Sequence, residues 1–404
     1  MDGRYPRGRI PLSVLDALVL DVLRLHFVPD RRASVVLNVG HFHEAHLHAA
    51  LHRARRLEVG ALFARALLST DPPTSVRTAA SRVYETNLAR NLFLKAQTDS
   101  WTSLLARAGI PCRVLKGVYL SQLLHGDLGA KVCADVDILV RRSDLLGAMQ
   151  AAESRGFRPR EPLSKGPGDR GAKAYTLAST AANAPYLVDL HWELEIPMAI
   201  KFRHDDIWST VDGTLDPDPL ALFNDSSHLD LLGSCLCLHA WRHNMSLKSL
   251  VDFAAFVHRW DHVMPGVRAR LTESRAGDGV ELALRLVARV FRIRSRVIGQ
   301  RCPKRVFLPW LQSLTHLSFT ARGRYLWALV APLRFDGFLG PAWGTARYLF
   351  RSGYSDNRPR IGARLKRLAG LIRRLSSAPA LFTRKEVDRA DVDEALENRG
   401  RSGA

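Results

Sequence analysis

The sequence contains few cysteines and no long uninterrupted apolar run. Its 404 residues include five cysteines, at positions 112, 133, 235, 237 and 302. They form no regular framework, which favours a reduced protein over a disulfide-bonded secreted one. No segment approaches the roughly 18 consecutive apolar residues of a membrane helix, and Asp16 and Asp21 make the N-terminal apolar stretch a poor signal peptide. We therefore expect a soluble, cytoplasmic protein.

Acidic residues are scarce relative to basic ones. The chain carries 59 Lys and Arg residues against 39 Asp and Glu residues, a formal net charge of +20. This excess favours a negatively charged partner, such as a nucleotide, a nucleic acid, an acidic polymer or an anionic membrane. The alternative explanation is a bias towards arginine across the whole proteome of the host. The length predicts two or three domains, and the apolar content of 47% is sufficient for a sizeable core.

Helical periodicity dominates the first hundred residues. Apolar residues recur at helical spacing within residues 11–69, and a proline-rich break follows. A long amphipathic helix is predicted for residues 76–108, with Gly109 as its terminating glycine. A short strand at residues 110–115 and a helix at residues 118–124 come next. This order indicates the start of an α/β unit.

Two carboxylates interrupt the apolar run ADVDILV at residues 134–140. Side chains alternate between the faces of a β-strand, so Asp135 and Asp137 point one way and their aliphatic neighbours point into a core. Like charges at such positions repel each other and lose hydration near a core. A divalent cation relieves both costs, because hard cations prefer oxygen ligands. The alternative is an edge strand whose aspartates face water.

A second strand repeats this pattern at residues 186–194, YLVDLHWEL. Its Asp189, His191 and Glu193 share one face, while aliphatic residues and a tryptophan share the other. Asp189 joins the first two aspartates if the strands are neighbours in one sheet. The pattern then predicts a site with three carboxylates in a compact unit of roughly 100 residues.

Two lysines and a glycine surround the first acidic strand. Gly117 permits a positive φ angle or a close backbone approach at a strand-to-helix turn. The helix that follows offers free backbone N–H groups, which attract phosphate, and Lys116 adds a full charge beside them. Lys131 has the same parity as Asp135 and Asp137, so we expect it on the acidic face. These residues predict a phosphate-binding region next to the carboxylates.

A resemblance to a known family rests on three segments in this order. LKG at residues 115–117, KVCADVDILV at 131–140 and VDLHW at 188–192 resemble the uncharacterised nucleotidyltransferase family of the polymerase-β-like superfamily. The similarity extends over about residues 75–260. It implies an α+β fold, in which a nucleotidyltransferase-type mixed β-sheet core is flanked by helical N-terminal and C-terminal regions. Lys131 stands where the family usually has arginine, which keeps the charge but loses the bidentate fork.

The resemblance also implies an activity. It implies a metal-dependent enzyme that transfers a nucleoside monophosphate from ATP or another NTP to an acceptor by two-metal phosphoryl transfer. The catalytic residues, which also bind Mg²⁺ or Mn²⁺, are implied to be Asp135, Asp137 and Asp189. The nucleotide-binding residues are implied to be Lys116, Gly117 and Lys131. Members of this family occur beside biosynthetic genes for peptides and surface polymers, so a small-molecule or peptide acceptor is expected.

Four further residues are candidates for substrate contact or orientation. His191 either orients Asp189, touches substrate or fills space. His239, Lys248 and Asp252 lie in residues 228–260, a segment that is strongly helical and apolar. The resemblance extends into this segment and implies that the three line the cleft opposite the carboxylates.

The same segment contains a possible zinc site. Cys235, His239 and His243 lie four residues apart and therefore stack on one helix face. They suggest zinc ligands, but no fourth ligand is evident. A packed helix of a substrate-side domain is the favoured interpretation.

The C-terminal part of the sequence is strongly basic. Residues 347–385 contain many arginines and lysines but a single acidic residue, Asp356, and carry an apolar stripe at helical spacing. Such a helix binds RNA, an anionic membrane or a protein partner, or docks on its own domain with its arginines in solvent. It suggests an alternative function, a non-catalytic binding module built on a nucleotidyltransferase scaffold.

Five regions are predicted from these patterns. They are a helical N-terminal region (1–95), a nucleotidyltransferase α/β core (96–200), a helical substrate-side domain (201–300), a basic helical C-terminal region (301–384) and a disordered tail (385–404).

Overall fold

The computed structural model describes residues 12–27, 42–160, 174–179, 186–193, 208, 226–242, 246–274 and 277–293. The basic segment 347–385, the predicted tail and His243 lie outside these residues. None of the helices in these ranges is long and apolar enough to cross a membrane.

The described chain forms helices and strands in the following order. The helices are α1 (Leu12–Phe27), α2 (Glu44–Arg56), α3 (Gly60–Leu68), α4 (Thr74–Arg107), α5 (Val118–His125), α6 (Leu145–Ser154), α7 (Ser226–Arg242), α8 (Leu247–Arg259), α9 (Met264–Glu273) and α10 (Gly277–Phe291). The strands are β1 (Cys112–Val114), β2 (Asp135–Val140), β3 (Phe157–Pro159), β4 (Ala174–Ser179) and β5 (Leu187–His191). Helices precede and follow the strands, as predicted.

The five strands form one mixed sheet in the order β1-β2-β5-β4-β3. β2 and β5 are parallel, and the other neighbouring pairs are antiparallel. Because parallel strands need a crossover connection, the chain passes through α6, β3 and β4 before β5 returns to the side of β2. The α+β fold with a mixed sheet core and helical flanks is confirmed. The two acidic strands are neighbours, which meets the condition for Asp189 to join the first two aspartates.

α4 is the long helix predicted for residues 76–108. It begins at Thr74 and ends at Arg107, and Gly109 beyond it has a positive φ of 69° that residues with a Cβ rarely adopt. Its first half packs with the other helices through Val76, while Trp101 in its second half packs against the sheet. The predicted domain boundary between residues 95 and 96 falls inside this helix. All of the predicted domain boundaries stay predictions.

Two apolar cores lie on opposite faces of the sheet. Val136, Ile138 and Val140 of β2 are buried in the sheet core, as their parity predicts. Leu139 points the other way and is buried in the helical core, which contains residues of α1, α2, α3, α7, α8 and α10. Because Asp137 shares the face of Leu139, the acidic face of the sheet is turned towards this helical core.

Candidate active site

The acidic residues of β2 and β5 meet in the middle of the sheet. The register of the parallel pair places Asp137 opposite Asp189, and paired residues point to the same face. The ligand atoms of Asp137, Asp189 and His191 all lie within 4.8 Å of one another. Two strands that are distant in sequence therefore bring their polar side chains together in one site.

Asp137 is the most buried carboxylate of the site. Its Oδ1 lies 2.8 Å from Nζ of Lys116 and 3.1 Å from Nε2 of His191. Burial by itself would raise the pKa of Asp137, but the hydrogen bond from His191 and the Lys116 charge outweigh burial and hold the pKa below its ordinary value. Asp137 is therefore ionised at neutral pH. His191 contacts Asp137 directly and also lies within 4.8 Å of Asp189, so its predicted roles stay predictions.

Asp135 adjoins this group without being part of it. It begins β2, is half-buried and is not one of the three side chains within 4.8 Å. Burial and the charge of Asp137 raise the pKa of Asp135, against the opposing charge of Lys116. The three closest side chains thus include His191, whereas the sequence predicts Asp135 as the third member. Asp135 lies beside this group, and we call it the outer carboxylate.

Asp189 is held by a residue that the sequence does not single out. Thr176 on β4 stands opposite Asp189 in the antiparallel register, and its hydroxyl donates to Oδ1 of Asp189 over 2.7 Å. This hydrogen bond fixes the carboxylate on the acidic face. Only the pairing of β4 with β5 reveals the contact, because residues 174–179 carry no acidic residue or motif.

The turn at Lys116 and Gly117 joins β1 to α5 next to Asp137. Gly117 has a φ of 74°, a conformation that favours glycine, and stands at the N-cap of α5. The backbone N–H of Leu115 donates to the carbonyl of Asp137 over 3.2 Å. The turn therefore carries the Lys116 ammonium directly to the buried carboxylate.

Lys131 is paired with Asp252. It precedes β2 and lies in the connecting loop, so strand parity does not govern its direction. Its ammonium forms a salt bridge with Asp252 of α8, and Nε2 of His125 lies 3.4 Å from the other carboxylate oxygen. Burial by itself would raise the pKa of Asp252, but Lys131 and His125 outweigh it and lower that pKa. Lys131, which is predicted to bind the nucleotide, and Asp252, which is predicted to line the cleft, therefore form an ion pair with each other.

Three side chains of α4 hold the loop that leads into β2. Asn87 and Asn91 both donate to the carbonyl of Lys131, over 3.0 and 2.8 Å. Arg90 donates to the carbonyls of Cys133 and Ala134 over 3.0 and 3.2 Å. These contacts fix the start of β2 and hence Asp135.

The remaining predicted residues lie on α7 and α8. Lys248 lies in the first turn of α8, pairs with Glu58 over 3.3 Å and lowers the pKa of Asp135. His239 is half-buried on α7. Burial raises the pKa of Cys235 on the same helix to about 12, so this thiol is protonated at neutral pH. The zinc hypothesis also needs His243, which lies outside the described residues.

The site has the donors that a divalent ion requires. Among the described residues, Asp137, Asp189 and His191 are the only group of at least three His, Cys, Asp or Glu side chains close enough to hold one ion. Two carboxylates and an imidazole are known metal ligands, and one ligand atom of each of these three side chains lies within 4.8 Å of the other two. The residues therefore fit a metal ion.

Comparison with known proteins supports one family. Residues 43–292 match the family model described as uncharacterised nucleotidyltransferase. This region contains both acidic strands, the Lys116–Gly117 turn and α8. No curated protein and no solved structure matches the chain significantly.

Proposed function

The chain belongs to the uncharacterised nucleotidyltransferase family, and from that premise we propose that it transfers a nucleoside monophosphate from an NTP to an acceptor. The observation that carries this proposal is the parallel pairing of β2 with β5, which brings Asp137 beside Asp189. Asp135 adjoins the pair on the same face. Three carboxylates in such proximity repel each other unless cations lie among them.

Asp135, Asp137 and Asp189 are the residues that would hold the catalytic ions, Mg²⁺ or Mn²⁺. Bound there, the ions would neutralise charge on the phosphates and lower the pKa of the attacking hydroxyl. Asp137 is suited to this role because its pKa lies below the ordinary value, which keeps the carboxylate ionised. Asp189, oriented by Thr176, is suited to accept the proton of the acceptor hydroxyl.

Lys116 is the proposed phosphate ligand. Its side chain is 32% exposed, so the ammonium can leave Asp137 and reach a bound triphosphate without crossing the core. The turn at Gly117 places the N-terminus of α5 beside it, where free N–H groups favour anions. Lys131 is only 9% exposed and paired with Asp252, so we assign it the role of fixing the loop before β2.

Lys248 completes the basic side of the proposed site. It lies in the first turn of α8, and its charge acts on Asp135. Its partner Glu58 is mostly exposed, so this ion pair is weak and Lys248 is free to contact a substrate phosphate. The acceptor, a small molecule or a peptide, would enter from this side.

The experiment that tests the proposal follows the α-phosphate. The full chain is incubated with an α-labelled NTP, Mg²⁺ or Mn²⁺ and an extract of host metabolites. We expect the label to enter one acceptor, and a γ-labelled NTP to leave that acceptor unlabelled. Asp135→Asn, Asp137→Asn and Asp189→Asn should each abolish transfer. Transfer of the γ-label instead would show that the protein is a kinase.

A further inference from the structure

His191 lies inside the carboxylate group. Its side chain is 2% exposed, and Nε2 faces Oδ1 of Asp137. Nε2 is therefore the ring nitrogen that can share an ion with the carboxylates. In a neutral imidazole one nitrogen carries the proton and the other offers a lone pair, so an ion bound at Nε2 leaves the proton on Nδ1.

The spacing of the group matches adjacent ligands of one ion. Bonds of about 2.1–2.2 Å put neighbouring ligands of a six-coordinate ion about 3 Å apart. Oδ1 of Asp137 and Nε2 of His191 are 3.1 Å apart, and a ligand atom of Asp189 lies within 4.8 Å of both. The three side chains can therefore converge on one ion with little movement of their strands.

The chemistry of these donors discriminates between ions. Mg²⁺ takes oxygen ligands and retains its waters, whereas a site with a nitrogen ligand binds first-row transition ions with an affinity that rises from Mn²⁺, the weakest, to Cu²⁺. Asp135, the outer carboxylate, could have supplied a third oxygen, but the tightest group contains the imidazole instead.

We propose that His191 is a direct metal ligand together with Asp137 and Asp189, and that this site selects a first-row transition ion such as Mn²⁺ over Mg²⁺. The inference deepens the proposed function and rests on it for the use of the ion in nucleotidyl transfer. Asp135 then remains available to a second ion or to the nucleotide-bound ion. Binding of the ion itself requires neither a nucleotide nor an acceptor.

Pulsed electron paramagnetic resonance of Mn²⁺ bound to the full chain tests the proposal. We expect a nitrogen hyperfine coupling that changes when the protein is grown with ¹⁵N-histidine. His191→Gln should remove this coupling and weaken Mn²⁺ binding by roughly 10–100-fold, whereas the matched variant His125→Gln should keep both. Mg²⁺ should displace Mn²⁺ only at a concentration roughly tenfold higher or more, since imidazole disfavours the harder ion.

Three results would overturn the proposal. They are a wild type without histidine coupling, a coupling that survives His191→Gln, and equal affinity for the two ions. If His191→Gln does not fold, Asp189→Asn is the second variant, because it keeps the imidazole and removes another of the three ligands. An unchanged Mn²⁺ affinity in Asp189→Asn would also overturn the proposal. The proposed function is tested separately from this metal site. If the protein transfers the α-label but bound Mn²⁺ shows no histidine coupling, the proposed function stands and the proposal for His191 is wrong.

Discussion

Two buried aspartates of this protein have the same kinds of partners and different surroundings. Asp137 contacts Lys116 and His191, and we call these three residues the Asp137 group. Asp252 contacts Lys131 and His125, which together form the Asp252 group. In each group, the lysine and the histidine hold the pKa of the carboxyl below its ordinary value, although burial opposes them. Composition alone would assign both groups the same role.

The surroundings separate the two groups. The lysine of the Asp137 group is 32% exposed, whereas that of the Asp252 group is 9% exposed. Asp189 and Asp135 lie close to Asp137 and add negative charge, while the charges acting on Asp252 are those of Lys131 and His125. The first group therefore carries excess negative charge beside a movable cation, which suits ligand binding. The second is a closed ion pair that joins α5 and the loop before β2 to α8.

The largest expected difference concerns activity. Asp137→Asn should lower the rate of nucleotidyl transfer by roughly 10³-fold or more, because several kcal/mol of charge stabilisation by bound ions would be lost. Asp252→Asn, assayed at a temperature where it is folded, should retain most of the activity. Initial rates of α-label transfer measure both. Comparable losses in the two variants would remove the distinction between the groups.

Stability should show the opposite order. Lys131→Met leaves the Asp252 carboxylate buried without its main partner, which should lower the free energy of unfolding by about 3–5 kcal/mol. The double variant Lys131→Met/Asp252→Leu removes both charges and should recover most of this loss. Asp137→Asn should lower the free energy of unfolding by less than Lys131→Met does, because the amide oxygen can still accept the hydrogen bond from His191 and water can solvate the Lys116 ammonium, which is 32% exposed. Urea denaturation measures all three variants.

Thr176→Val tests how much the orientation of Asp189 contributes to the Asp137 group. Loss of the hydroxyl removes the hydrogen bond to the carboxylate, while the size of the side chain is nearly unchanged. Such supporting contacts typically change metal affinity by roughly 10–100-fold, so Mn²⁺ binding should weaken by about that factor. Thr98→Val removes a buried hydroxyl of α4 that donates within its own helix and serves as the control. Equal Mn²⁺ affinity in both variants would exclude the orienting role.

Low pH should reduce the contribution of the Asp252 group to the free energy of unfolding. A carboxyl whose pKa is lowered by folding stabilises the protein above its unfolded pKa of about 4, and this contribution disappears as the pH falls towards the folded pKa. Wild-type stability should therefore fall more steeply below about pH 4 than that of Lys131→Met/Asp252→Leu. The other carboxylates are common to both proteins, so the difference between their urea midpoints isolates this group. Parallel pH profiles would contradict the assignment.

The sequence predicts those parts of the fold and site that depend on local periodicity. Alternation places Asp135 and Asp137 opposite a buried aliphatic face, and the repeat of that pattern correctly predicts a second strand around Asp189. Only the structure shows that the two strands are neighbours. The long helix α4 is also evident from its spacing and from Gly109. These features require only the period of a helix or strand and the chemistry of a turn.

The contacts between distant segments could not be predicted in the same way. Lys131 lies in a loop, where parity gives no direction, and its partner Asp252 is 121 residues away. Thr176 is significant only through the register of β4 with β5. Nothing in the helical pattern distinguishes Asn87 and Asn91 from other polar residues of α4, because their role depends on the loop before β2 that packs against them. Each of these contacts depends on how complete elements pack together.

The most direct test of the central claim is metal-dependent binding of an NTP to the Asp137 group. Isothermal titration calorimetry would compare the wild type with Asp135→Ala/Asp137→Ala, each with Mg²⁺, Mn²⁺ or a chelator. We predict that the wild type binds the NTP only with a divalent ion and that the double variant loses this binding. A wild type that binds no NTP with either ion would contradict the account. Salt-sensitive RNA binding that survives in the double variant would then favour a non-catalytic binding module.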